Sequence, residues 1–165
     1  MEVHYGVPQG TREERYAELV VQIEALAAGE PDWLANLANA ASLLYIQLED
    51  INWAGFYLMR GGELVVGPFG GKPACTRIAL GKGVCGTAAA RRETVVVPDV
   101  QQFPGHIACD DASRSEIVVP LLHEGWLVGV LDIDSPVPGR FDEVDRRYLE
   151  QVALLLAPWA AQGNV

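Results

Sequence analysis

Cys75, Cys85 and Cys109 are the three cysteines of a 165-residue chain. An odd number of thiols in a protein long enough to need no covalent staples points to reactive or metal-binding sulfur, not to a structural disulfide framework. Their contexts are Pro-Ala-Cys-Thr, Gly-Val-Cys-Gly-Thr and His-Ile-Ala-Cys-Asp, and none belongs to a Cys-x-x-Cys pair. Cys85 falls near the start of a short Gly/Ala-rich segment, where a helix dipole would favour the thiolate. Cys109 falls in a polar stretch a few residues ahead of Glu116. Both are candidate nucleophiles, and each also has the plainer reading of a small buried hydrophobe. Cys75, Cys85, Cys109 and His106 have the ligand chemistry of a zinc site. Structural zinc sites draw ligands in close pairs, however, and here only His106 and Cys109 are neighbours, so no metal site is expected. His4 and His123 have no evident partners and are expected at the surface.

A second constellation is acidic. Ser115 to Leu122 and Trp126 to Asp134 read as a hairpin joined by His123-Glu124-Gly125. A three-residue connection sets Leu122 opposite Trp126, Ile117 opposite Leu131 and Glu116 opposite Asp132, with Asp134 two residues further along the same face. A two-residue turn would pair Glu116 with Ile133 and mix polar with apolar on both faces, so the hydrophobic pattern favours the longer loop. Three clustered carboxylates repel one another unless a cation arrives or one of them keeps its proton at neutral pH. The alternative is that Asp132 and Asp134 merely end an edge strand in solvent.

The elements that must position these groups are legible from periodicity. Thr11 and Glu14 fit a capping box, followed by Tyr16, Leu19, Val20, Ile23 and Leu26 at helical spacing. Gly29 stops that helix, Pro31 suits the first turn of a second, and Leu34, Leu37, Ala38, Ala41, Leu44, Tyr45 and Leu48 make its stripe. From Asn52 the texture becomes strand-like: Trp53 to Met59 and Leu64 to Phe69 through Gly61-Gly62, then Thr76 to Leu80, Thr94 to Val97 and the acidic hairpin, with a short helix from Val84 to Arg91. Residues 98 to 115 read as a long loop, and Phe141, Val144, Tyr148, Val152, Leu155 and Trp159 line a closing helix. The order predicts one α+β domain over 1–165: helices in 1–50, sheet and active-site loops in 51–140, and a C-terminal helix in 141–165. An antiparallel sheet covered by helices on one face leaves the other for a pocket roofed by the loop.

Composition excludes several partners. A net charge of −10 gives nucleic acid and anionic membranes little to bind. No leader-like segment or membrane-length apolar run is read, so a cytoplasmic location is expected.

Several stretches together resemble the free methionine-R-sulfoxide reductases, a single-domain branch of the GAF fold. They are Asn52 to Tyr57 (Asn-Trp-Ala-Gly-Phe-Tyr), Ala74 to Ile78, Gly81 to Ala89 (Gly-Lys-Gly-Val-Cys-Gly-Thr-Ala-Ala), Phe103 to Asp110, Ser115 to Val118 and Gly129 to Ser135, with His-Tyr-Gly near the start. The resemblance implies a central antiparallel sheet with helices on one face and loops closing a pocket on the other. It implies reduction of free methionine-R-sulfoxide through a cysteine sulfenic acid and an intramolecular disulfide recycled by thioredoxin, indirectly by NADPH, with no bound cofactor and a role in repair of oxidative damage. Cys109 is then expected to attack, Cys75 to resolve and Cys85 to be an auxiliary thiol; Cys85 and Cys109 remain interchangeable as the first nucleophile. Glu116, Asp132 and Asp134 would bind the substrate, and Trp53 would pack on its methyl end. Relatives of this kind suggest a homodimer. Ordinary GAF domains, which bind cyclic nucleotides or chromophores without chemistry, supply the alternative reading; they lack the three-cysteine pattern.

Overall fold

The computed structural model describes residues 6 and 8–163. Helices α1 (Arg12–Ala27) and α2 (Trp33–Gln47) precede strands β1 (Trp53–Arg60), β2 (Glu63–Gly71) and β3 (Arg77–Ala79). Helix α3 (Gly83–Arg91), strand β4 (Val95–Val97), a single 3₁₀ turn at Val100–Gln102, strands β5 (Ser115–His123) and β6 (Trp126–Ser135), and helix α4 (Glu143–Gln162) complete the chain. The six strands form one antiparallel sheet in the order β3-β2-β1-β6-β5-β4.

Local chemistry accounts for the helix boundaries. Thr11 caps α1 by accepting from the Glu14 amide, and Asp32 caps α2 by accepting from the Ala35 amide. Pro31, expected inside the first turn of α2, precedes the cap instead, because the Asp32 side chain supplies the acceptor that the free amides need. At α4, Asp142 and Asp145 form a reciprocal capping box. His4 and the start of the His-Tyr-Gly motif lie outside the described residues.

Two apolar clusters sandwich the sheet. Helices α1, α2 and α4 bury Leu19, Leu37, Leu44, Leu149 and Leu156 against Phe56, Ile117, Leu121, Leu131 and Ile133. On the opposite face a smaller cluster joins Trp53, Tyr57, Val118 and Val130 of the sheet to Val84, Cys85 and Ala88 of α3. The segments 72–76 and 98–114 run over this second face, leaving a pocket between them.

The acidic hairpin differs from expectation. His123 pairs with Trp126, so the turn has two residues, Glu124 and Gly125, both with positive φ, as hairpin turns that match strand twist require. A bulge between Leu121 and Leu122 then shifts the ladder, setting Leu121 opposite Gly129, Val119 opposite Leu131, Ile117 opposite Ile133 and Glu116 opposite Asp134, not Asp132. The short turn that hydrophobic patterning disfavoured is accommodated because the bulge restores parity: every residue from Ser115 to Leu121 keeps its expected face while its partner moves by two.

Candidate functional site

The register places the acidic residues in rows across the sheet. Glu116 on β5 pairs with Asp134 on β6, and Asp134 pairs on its other side with Trp53 of β1. One row further in, Asp132 lies between Val118 and Gly55. Because side chains alternate along a strand, all three carboxylates and Trp53 project from the face opposite the three long helices. They line one pocket with Tyr57, Cys85, His106 and Cys109.

The elements holding these groups are placed by close backbone approach. Gly86 of α3 sits against the Ala79 carbonyl with no room for a Cβ, so the helix lies tight on the turn after β3 and lowers Cys85 onto the carboxylates. Gly83 opens α3 at φ +61°, facing Ile107 of the long loop. Loop 98–114 is tied to the sheet by Asn52, whose side-chain amide donates to Asp110 Oδ2 and to Ser113 Oγ, both at 3.1 Å. Tyr57 donates its hydroxyl to the Cys75 carbonyl at 3.1 Å and the Trp53 indole donates to the Lys72 carbonyl at 3.1 Å, anchoring the opposite rim. The indole stacks between Tyr57 and Phe69, with centroids 5.7 and 5.1 Å away.

Cys75 and Cys109 are joined by a disulfide, with Cα atoms 5.5 Å apart across a sequence separation of 34. The bond bridges the two loops over the pocket. A zinc site of three cysteines and His106 is incompatible with this arrangement, since two of its thiolates are consumed. Cys85 is the remaining thiol, buried at 4% exposure with Sγ 3.9 Å from Glu116 Oε2. Its expected activation by the α3 dipole is overturned: burial foremost, then the charges of Asp132, Glu116 and Asp134, hold the thiol well above its ordinary range. Desolvation and like charges outweigh a half-charge at a helix end.

The carboxylates are perturbed in the same direction. Glu116 and Asp134 are both pushed well above the ordinary range, by burial first and by the neighbouring Asp132 charge next. Asp132 is raised too by burial, but hydrogen bonds from Glu116, Cys85 and Asp134 oppose that shift. Asp132 is thus the member best able to stay ionised, and the paired Glu116 and Asp134 the members that retain protons. His106 is held below its ordinary value, chiefly by burial, and is a neutral imidazole at neutral pH.

Sequence reasoning assigned neither Tyr57 nor Asn52 to the site, and it weighed His106 only as a ligand of the rejected zinc set. Tyr57 is four residues beyond Trp53, on the same strand face, and that alternation was the available signal. His123 is exposed for about a third of its side chain and lies 3.8 Å from Glu124. Among the described residues no helix is long and apolar enough to cross a membrane.

Residues 34–158 match the GAF domain family. The chain is 55% identical over 143 residues to a free methionine-R-sulfoxide reductase of Escherichia coli, covering 87% of each protein. It is 48% identical to the enzyme of that name from Saccharomyces cerevisiae, over 88% of this chain and 85% of the yeast protein. Its structure is similar, with a TM-score of 0.90 and 46% identity over 99% of both chains, to the free methionine-R-sulfoxide reductase of Neisseria meningitidis in complex with its substrate.

Proposed function

The chain belongs to the free methionine-R-sulfoxide reductases of the GAF fold, and from that premise we propose how its pocket carries out the reaction. The enzyme reduces free methionine-R-sulfoxide to methionine. The observation that supports the following assignment is the enclosure of Cys109, three perturbed carboxylates and Trp53 in one pocket.

In the dithiol state the Cys109 thiolate attacks the sulfoxide sulfur. The Glu116–Asp134 pair supplies the proton that the sulfoxide oxygen needs, making sulfur a better electrophile. Methionine leaves, and Cys109 retains the oxygen as a sulfenic acid. The Cys75 thiol attacks that sulfur and expels water, which produces the Cys75–Cys109 disulfide. An external dithiol of the thioredoxin class, fed by NADPH, then exchanges with the half-buried disulfide and restores both thiols. No bound cofactor enters this scheme, and a thioredoxin-class donor is consistent with a cytoplasmic enzyme.

Asp132 takes the substrate's ammonium group, and the aromatic wall of Trp53 receives its methyl end. A methionine inside a polypeptide has no free ammonium to offer, so the site selects the free amino acid. A cyclic nucleotide, the ligand of a non-catalytic GAF module, would bring its phosphate against an acidic floor.

Incubating the reduced protein with each methionine sulfoxide epimer, thioredoxin, its reductase and NADPH tests the reading. NADPH consumption is expected with the R epimer of the free amino acid, and its absence would overturn the assignment. Cys109→Ser is expected to abolish methionine formation in a single turnover, whereas Cys75→Ser completes one turnover and stalls. A full first turnover by Cys109→Ser would move the attack to another thiol. Asp132→Asn is expected to raise KM about tenfold or more, and Glu116→Gln or Asp134→Asn to lower kcat by about 10²-fold.

A further inference from the structure

We propose that Cys85, Glu116 and Asp132 form a binding site for one thiophilic divalent cation of the zinc or cadmium class, and that the bound ion excludes the amino-acid substrate. One ligand atom from each residue lies within 4.8 Å of the others, and all three residues are buried. Around a tetrahedral zinc-like ion such atoms stand about 3.5 Å apart, so small side-chain rotations close the set.

A second observation points to a missing ligand. Asp132 Oδ1 is buried without a hydrogen-bond partner, in a side chain only 4% exposed. Buried acceptors are ordinarily paired, and the residue that carries this one lines the pocket. Among the described residues, no ion pair reaches Cys85, Glu116 or Asp132; Arg12, Arg15, Arg77, Arg140 and Arg146 pair elsewhere, with Asp142, Asp145, Glu49, Glu63, Glu143 and Glu150. Lys72 and Lys82 line the pocket but form no ion pair with this acidic floor.

The donor set selects the class of ion. One thiolate with two carboxylates suits a borderline-soft metal and disfavours magnesium or calcium, which demand oxygen ligands in larger number. Three protein ligands leave a fourth position for water. On binding, the Cys85 proton and any proton on Glu116 pass to solvent. Cys85 takes no part in the disulfide, so the site is available in the oxidised protein.

Exclusion of substrate rests on the placement of the ammonium group at Asp132; the cation site itself does not. The full chain is prepared in its disulfide form, where Cys85 is the single thiol, and titrated with cadmium while thiolate-to-metal absorption and heat are followed. One equivalent is expected, with the absorption band lost in Cys85→Ser and affinity lowered about tenfold or more in Asp132→Asn. Free methionine at saturating concentration is expected to weaken apparent cadmium affinity in proportion to its occupancy. No band, a band that persists in Cys85→Ser, affinity unchanged in Asp132→Asn, or indifference to methionine would overturn the proposal. The turnover assay is run without metal, so its outcome is read separately from this titration.

Discussion

Glu116 carries a cost that should be visible in stability as well as in catalysis. Its folded carboxyl titrates well above the unfolded value of 4.5, because burial and the Asp132 charge disfavour ionisation. The folded state thus binds the extra proton. Its contribution is fully present below about pH 4.5 and is lost as pH rises through the folded value. Gln mimics the protonated form, so Glu116→Gln is expected to match the parent Tm near pH 4 and exceed it at pH 8, by about 2–4 °C for each kcal/mol relieved. Thermal melts across that range would check it, and an equal offset at both pH values would refute it. Residue chemistry was the most legible layer in the sequence: the carboxylates on one face and the separation of all three thiols from any Cys-x-x-Cys pattern followed from alternation and spacing. The environment of Cys85 was not legible. A helix-end position suggested a thiolate, while its neutral state comes from three carboxylates distant in sequence and from burial that only the folded sheet creates.

The packing of α4 and α1 turns on one side chain. Asp145 is fully buried and receives the Tyr16 hydroxyl at 2.6 Å, Arg12 Nη1 at 2.8 Å, Arg140 Nη1 at 3.2 Å and the Asp142 amide at 3.0 Å. It closes the α4 cap, fastens α1 and holds the connection that follows β6. Removing one partner of a buried ionic network leaves the others unpaired, so Asp145→Ala is expected to cost about 3–5 kcal/mol in denaturant unfolding. A loss below about 1 kcal/mol would show that solvent replaces the missing acceptor. Element types and order were readable because amphipathic stripes in α1, α2 and α4 match the 3.6-residue period and the strands alternate. The pairing of β5 with β6 was not, since no residue type at Leu121-Leu122 announces a bulge; the turn at Glu124-Gly125 and the hydrophobic alternation each pointed to a different register, and both are satisfied by the extra residue.

At the scale of the whole molecule, the two loops that meet in the disulfide come from opposite flanks of the sheet. Cys75 follows β2, and Cys109 precedes β5. Closing a segment of this length stabilises by about 3–4 kcal/mol in the chain-entropy picture, so the dithiol protein is expected to melt lower than the bridged one. A bridge between opposite flanks also works as a clasp. When fastened, it holds the backbone that runs from Cys75 past Arg77 to Lys82 against the sheet. Trypsin must pull several residues into an extended cleft to cut, so cleavage after Arg77 and Lys82 is expected to be slow in the bridged protein and to accelerate once the clasp is undone. Limited digestion would then report the oxidation state of the enzyme without any measurement on sulfur, and identical peptide patterns from both states would show that the roof stays shut on its own.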